Sequence, residues 1–565
     1  MRLSRRRALC LAGAMTAAPA LAAANSSGGP ELQSLRFDHG VASGDPLQDR
    51  VVLWTRISGA DRPVTVEWQI ARDDGFRDVV GQGRAVAEAH RDFTVKVDAT
   101  GLMPGTAYWY RFRTKGIPSP VGRTQTLADN ADKVVLAMVC CSLHSNGYFN
   151  GYRAVADMAE VDAVVHLGDY IYEYGAGLTD YGMGNGRTLG RIPEPQHDTV
   201  SLDDYRRRHA QYKRDEDLQA AHARAPWICV FDDHEICDNP WKGGAANHHP
   251  DEGSWAARKA AAIRAYREWM PIRDPSGPLS ETQAETVYRS FRFGGLAELI
   301  MVETRLLARS RQLDYRHDVP LDSEGQPDFG AFRAKLNDPA RELFGARQRQ
   351  WLADTMQASV ADGVRWQVLS SQVLMARLNG PDVGRMLDAA GARQIAEMAP
   401  TDLRQRFDLL DQVFAQDPPL PLNLDAWDGY PAERERLYAL IKDTGARTVV
   451  VSGDSHCAWA NQLHDTDGDF VAVELGVTAI SSPTRWLDSW LPDLKVADTL
   501  ATHNDEVVAA DDSKNGFVRL TLTRGEARGE WMMLDTIHSR DFTCQPARTF
   551  VTAAAETGPN PWQEA

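Results

Sequence analysis

Beyond its first two dozen residues, this 565-residue chain contains no apolar run long enough to span a bilayer, which argues against a stable membrane anchor. Basic charge is in deficit: 62 Lys and Arg stand against 78 Asp and Glu, a formal charge of -16. Nothing resembles a basic nucleic-acid footprint, so nucleic acid is set aside as a partner. An acidic surface leaves room for a phosphate ester in a metal-lined pocket. No Gly-x-Ser-x-Gly elbow occurs, which weighs against a serine hydrolase. There is also no internal repeat and no low-complexity linker. Cysteine is sparse. Besides Cys10 there are six: Cys140, Cys141, Cys229, Cys237, Cys457 and Cys544. Disulfides are the default in an exported protein. However, Cys140 and Cys141 are adjacent and most of the six lie beside acidic motifs, so a thiolate metal ligand competes with pairing.

What is present is a soluble globular composition, 43% apolar and 25% charged, with mean hydropathy -0.40. The length implies two or more domains. Residues 1–24 read as an export signal. Arg5-Arg6-Arg7 precede a modestly apolar stretch, and Ala20-Leu21-Ala22 or Ala22-Ala23-Ala24 offers a cleavage site. The paired arginines after Ser4, with Leu9 following, fit a twin-arginine signal, although Ala8 holds the usual aromatic position. The expected partner is the twin-arginine export machinery, and the expected location is periplasmic or secreted.

Residues 31–128 alternate with period two, as in Val51-Val52-Leu53-Trp54-Thr55-Arg56, Val64-Thr65-Val66-Glu67-Trp68 and Thr94-Val95-Lys96-Val97. Leu102, Pro104, Thr106 and Tyr108 follow the tyrosine-corner pattern of fibronectin III sandwiches, so an all-β, fibronectin III-like sandwich is expected over 31–128. From 132 to 540, buried strand-like runs (134–139, 163–167, 227–231, 299–302, 366–369, 448–451) alternate with helical patterns over 202–222, 255–270, 348–360 and 432–442. This predicts a layered α/β domain with a largely parallel or mixed sheet. A Gly- and Pro-rich loop is expected over 174–199, helices and loops over 375–425, and a tail over 541–565.

Four of the buried runs end in groups able to bind metals. They lead into Cys140-Cys141-Ser142, Gly168-Asp169-Tyr170-Ile171-Tyr172, Asp232-Asp233-His234-Glu235 and Gly453-Asp454-Ser455-His456. Ligands of open α/β sheets sit at the carboxyl ends of strands. A phenol with a pKa of about 10 is a poor ligand unless a strongly polarising cation stabilises it, so Tyr172 points to ferric iron. Asp169, Asp233 and Asp454 suit hard divalent ions, calcium among them. A carboxylate bridging two metals fits phosphoryl displacement by a metal-activated hydroxide. Each motif alone has a bland reading: a turn, an acidic helix start, a core cysteine, a packed tyrosine. Their shared position just past a buried strand favours a site.

As a set these motifs, with Phe37-Asp38-His39-Gly40, Gly147-Tyr148-Phe149 and Ser371-Gln372-Val373, resemble the PhoD-type alkaline phosphatases. These are calcineurin-like metallophosphoesterases similar to the purple acid phosphatases. The resemblance implies Fe(3+) at Cys141, Asp169, Tyr172 and His456, and Ca(2+) at Asp233 and Asp454, with Asp169 bridging. It implies His234 facing the substrate's leaving oxygen and Asp232 orienting the site. Arg305 is assigned as a phosphate clamp, with a salt bridge to a nearby acid as the competing role. The doubled cysteine leaves two candidate sulfurs, and register favours Cys141. The expected substrate is a small phosphate monoester or diester. The alternatives are an extracellular phosphodiesterase or phospholipase D-like enzyme and, from another class, a non-catalytic surface-binding protein.

Overall fold

The computed structural model describes residues 34–178, 180–275, 285–380, 412–484 and 496–565. The expected export signal, 1–24, lies outside them, as do 381–411 of the stretch expected to form helices and loops. Two mixed sheets organise the unit Leu35–Ala565. In the ten-stranded sheet Lys133–Val139, Ala163–His166 and Trp227–Cys229 run parallel, side by side. In the seven-stranded sheet Ala297–Met301, Trp366–Ser371, Thr448–Ser452 and Phe470–Gly476 do the same. Their near-continuous apolar runs suit strands covered on both faces. The two sheets share one core, in which Leu136, Val164 and Val165 meet Leu299, Val368 and Val449. Beyond the second sheet, helices Gly345–Ala361 and Pro431–Thr444 set Leu352, Met356, Leu437 and Ile441 against Ile300, Leu369 and Val450. The layered α/β class stands, but with two stacked sheets where the sequence pattern suggested one. The helix read over 202–222 is two helices, Leu202–Lys213 and Glu216–Arg224. Asp215 breaks the run because its carboxylate caps the second, accepting from the Asp217 and Leu218 amides.

The N-terminal region is built into this frame. Val41–Gly44, Arg50–Arg56 and Thr94–Thr100 extend the ten-stranded sheet, with Gly44 opposite Trp227. A separate five-stranded sheet faces them across a core of Val51, Leu53, Val66, Ile70, Tyr110 and Phe112. One layer of the expected sandwich is therefore the edge of the central sheet. Tyr108 pins its turn as the sequence pattern suggested: its hydroxyl accepts from the Met103 amide at 2.8 Å. The stretch 541–565 is no tail. Cys544–Ala553 pairs antiparallel with Glu526–Leu534, and Gln563–Glu564 pairs with Cys544–Ala553. Burial of Phe550 and Trp562 in the shared core drives that pairing.

Candidate metal centre

The parallel strands deliver the predicted residues to one place. Cys141, Asp169, Asp233 and His234 follow strands of the first sheet, and Asp454 and His456 follow Thr448–Ser452 of the second. The chain turns sharply there. Cys141 (φ 58°), Asp169 (59°), Asp454 (64°) and His456 (54°) all adopt the left-handed conformation. Such backbone costs roughly 1–3 kcal/mol per non-glycine residue, and it clusters at functional sites. Gly168 makes the Asp169 turn possible: at its φ of 121°, a Cβ would lie 2.2 Å from Asp232 Cβ.

Three contiguous donor groups result. Ligand atoms of Cys141, Asp169 and His456 lie within 4.8 Å of one another, as do those of Asp169, Asp233 and His234, and those of Asp232, Asp233 and Asp454. Asp169 and Asp233 each belong to two groups. The Tyr172 hydroxyl joins the first, donating to Asp169 Oδ2 at 3.0 Å and lying 3.2 Å from His456 Nε2, while it accepts from Ser482 Oγ at 2.6 Å. His456 Nδ1 lies 3.0 Å from the Pro483 carbonyl, an arrangement that turns Nε2 towards the cluster. Of the two candidate sulfurs, Cys141 Sγ is the one in the group. Cys140 Sγ faces the Val477 and Thr478 carbonyls at 3.5 and 3.8 Å.

The electrostatics of this donor set suit a cation. Burial pushes the Cys141 thiol well up, reinforced by Cys140, Asp169 and Asp454. Burial and then Asp233 push the Asp169 carboxyl well above the usual carboxylate range. Asp233 Oδ1 is buried with no hydrogen-bond partner. Burial lowers His456 to about 4, so its imidazole is neutral and able to ligate at neutral pH. Thiol, phenol and carboxylates thus converge beside a neutral imidazole where positive charge is needed to keep the acids ionised, and the residues fit metal binding.

His234 stacks on Tyr172 with centroids 4.2 Å apart, and its Nδ1 lies 2.7 Å from Glu173 Oε2. Burial alone would lower its pKa, but Asp233, Glu173 and Asp169 hold it well above the ordinary value. With Asp169, Asp233, Asp454 and His456 it lines a cavity of about 510 Å³.

Arg305 departs from the phosphate-clamp assignment. It is fully buried and absent from that cavity's lining. Nε donates to Asp232, Nη1 to Asp425 at 2.5 Å and Nη2 to Asp454 at 2.9 Å, with Asp233 at 3.9 Å from Nη2. The competing salt-bridge role is the one realised, and its fork ties the site loops of both sheets together. Asp232, read as an orienting residue, is held by that fork. Glu303 caps the turn after the strand through the Arg305, Leu306 and Leu307 amides. Among the described residues all six cysteines are free, so the default expectation of disulfides gives way to thiols, five of them buried and Cys544 half-buried.

The sequence reading gave no role to four supporting residues. Glu235 accepts from the Asp169, Tyr170 and Asp232 amides at 3.0, 2.7 and 2.9 Å, locking two strand-end loops together. Glu173 orients His234, Ser482 holds Tyr172, and Asp425 joins Arg305 to Arg309. For Glu235 and Glu173, an acid directly after a candidate site residue, His234 and Tyr172 respectively, was the available signal. Ser482 and Asp425 lie in loops far away in sequence and carry none.

Two stacked mixed sheets with acidic and imidazole groups at facing strand ends define a hydrolase architecture of the metallophosphoesterase kind. The PhoD-like phosphatase family matches residues 136–531, and its N-terminal domain matches 22–128. Alkaline phosphatase D of Bacillus subtilis (strain 168) is 33% identical over 569 residues, covering 96% of this chain and 85% of the relative. A solved PhoD structure superposes with a TM-score of 0.76 at 30% identity, covering 95% of this chain and 93% of that one. A purple acid phosphatase from yellow lupin (Lupinus luteus) seeds shares the fold at a TM-score of 0.50 and 10% identity, over 91% and 73% of the two chains. The chain belongs to the PhoD-like phosphatase family and is a phosphoesterase, which removes the non-catalytic reading. No helix among the described residues is long and apolar enough to cross a membrane.

Proposed function

We propose that the chain is an exported, metal-dependent phosphoesterase acting on phosphate monoesters and also on diesters. Ferric iron would be held by Cys141, Asp169, Tyr172 and His456, and calcium by Asp233 and Asp454, with Asp169 shared. The observation that carries this reading is the contiguity of the three donor groups through Asp169 and Asp233. When bound, cations there supply charge for the phosphate oxygens and acidify a water for in-line attack. The chain's own residues do the rest. The left-handed turns at Asp169 and Asp454 hold both carboxylates at the cavity wall. Glu173 fixes the His234 ring, whose Nε2 is then the group suited to donate a proton to the leaving oxygen. Arg305, locked among carboxylates, offsets the negative charge beneath the site. The N-terminal Arg5-Arg6-Arg7 signal supports export.

The test is metal content by mass spectrometry of protein taken from its export compartment, with activity measured before and after chelation. Iron with calcium, and activity lost on chelation, are expected. Iron-free, fully active protein would overturn the ligand assignment. Rates on p-nitrophenyl phosphate and its bis ester divide the two substrate types, and a much faster diester rate would make the phosphodiesterase description the correct one.

A further inference from the structure

The cavity that holds the donor groups has a second, chemically opposite side. Besides the carboxylates, the same cavity is lined by Leu374, Leu378, Leu422, Trp459, Ala497 and Leu500. Most of these belong to an apolar cluster separate from the main cores, assembled from the loop after Trp366–Ser371, the strand Ala458–His464 and the helix Val496–His503. This wall is fixed in place. Four successive amides of its loop are held by buried carboxylates: Met375 and Ala376 donate to Glu474 at 2.7 and 3.0 Å, Arg377 to Glu506 at 2.7 Å, and Leu378 to Asp428 at 2.8 Å. Trp459 is tied to the metal side itself, its indole donating to Ser455 Oγ at 3.0 Å, between Asp454 and His456.

A phosphoryl group needs only the carboxylate side. A volume of about 510 Å³ falls in the range of pockets that enclose whole organic ligands, with predominantly apolar walls and a few convergent polar groups. Keeping an apolar wall wet is unfavourable, and covering it with an apolar group recovers that cost. Because the wall lines the same cavity as Asp169, Asp233, His234, Asp454 and His456, the group that covers it is the one attached to the phosphate.

We propose that this wall receives the organic substituent of the ester, and that the enzyme is selective for esters with an apolar aryl or alkyl substituent over esters of small polyols. The inference rests on the site reading above and goes beyond it by naming a substrate class. In the reaction a water oxygen forms the new bond to phosphorus, the bond to the ester oxygen breaks, and the apolar alcohol leaves with a proton. Leu378 and Leu500 are the specificity-determining residues, since they shape the wall without belonging to any donor group.

The test compares kcat/KM for 1-naphthyl phosphate and glycerol 2-phosphate in the holoenzyme, in Leu378→Ser and in Leu500→Ser, each checked by thermal unfolding. The wild type should prefer the naphthyl ester. The preference should fall about tenfold in each folded variant, the order expected when an apolar contact is lost from a specificity pocket. Wild-type enzyme also provides a measurement independent of variant folding: 1-naphthylphosphonate should inhibit about tenfold more tightly than methylphosphonate. Equal inhibition by the two phosphonates, or an equal loss on both esters in folded variants, overturns the proposal. If the naphthyl preference persists in an enzyme indifferent to chelation, the metal assignment fails and the apolar subsite stands.

Discussion

Replacing Arg305 by Gln removes the one guanidinium that, among the described residues, lies within ion-pair distance of Asp232, Asp233 and Asp454 together, and it does so at a position with no solvent exposure. Removing one partner of a buried ion pair costs about 3–5 kcal/mol, because the other charge is left uncompensated. Here Asp232, Asp425 and Asp454 share the guanidinium at hydrogen-bond distance, so the upper part of that range is expected in protein stripped of metal. With an unfolding entropy of about 2 cal/mol/K per residue, a chain of this length loses roughly 3–5 °C of Tm. Arg305→Lys should fall between, since an ammonium keeps the charge but cannot present a planar fork to three acceptors at once. Thermal unfolding of wild type, Arg305→Lys and Arg305→Gln, with and without chelator, reads the cost directly. Retained metal per chain should fall in the same order, because Asp454 loses its hold. If Arg305→Gln instead keeps wild-type Tm and metal content while KM for substrate rises alone, the phosphate-clamp role is right and the structural one is wrong.

Asp169→Asn should abolish turnover, by roughly a thousandfold or more given its place in two donor groups, with little change in far-UV circular dichroism; unchanged turnover would refute the metal site. On the proposed ligand assignment, Cys141→Ser should lower iron content and any visible absorption from it, while Cys140→Ser should leave both as in the wild type; the reverse outcome would exchange the two sulfurs. Lys213 gives a pH signature away from the site. The residue is 1% exposed, its amine 3.0 Å from His222 Nε2 and over the rings of Trp54 and Tyr170, with His166 and His209 nearby and no carboxylate partner among the described residues. Burial lowers its pKa from 10.5 to about 7, so the fold binds fewer protons than the unfolded chain between those values. Its contribution to stability should therefore rise from about pH 7 towards pH 10, by at most about 1.4 kcal/mol per pH unit, and Lys213→Met should flatten the slope between about pH 7 and 8 in urea unfolding, while Lys96, which burial lowers to about 8, keeps a rise above that.

How much of this could be read from sequence follows from which interactions are local. A buried parallel strand announces itself as an unbroken apolar run, and a ligand placed just after it needs no knowledge of the partner sheet. That Cys141, Asp169, Tyr172, Asp233, Asp454 and His456 reach one place as candidate donors is legible for that reason. Arg305 also follows such a strand, yet its role turns on Asp232, Asp425 and Asp454, which are 73, 120 and 149 residues away. Strand-end position predicts that a side chain reaches the site. It does not tell whether the side chain faces the cavity or the carboxylates beneath it. The second half of the frame was the harder part. Gly516–Thr523 and Glu526–Leu534 form an antiparallel pair that adds onto Lys133–Val139. Nothing local to 516–534 says which distant strand it will join.

The same reasoning explains why a single central sheet was the natural expectation and two are found. Each sheet needs its inner face covered, and in a βαβ reading helices are the default cover. Here the sheets cover one another through Leu136, Val164, Leu299 and Val449, so helices are required only on the outside. That arrangement has a chemical consequence. Strand ends from both sheets open on the same cavity, so Cys141, Asp169 and Asp233 from one meet Asp454 and His456 from the other. The groups Cys141–Asp169–His456 and Asp232–Asp233–Asp454 therefore exist only while the two sheets stay in register. Glu235 holds the register within the first sheet's loops, and the Arg305 fork holds it between the sheets. Two buried residues outside any donor group thus govern whether the strained turns at Asp169 and Asp454 face one another.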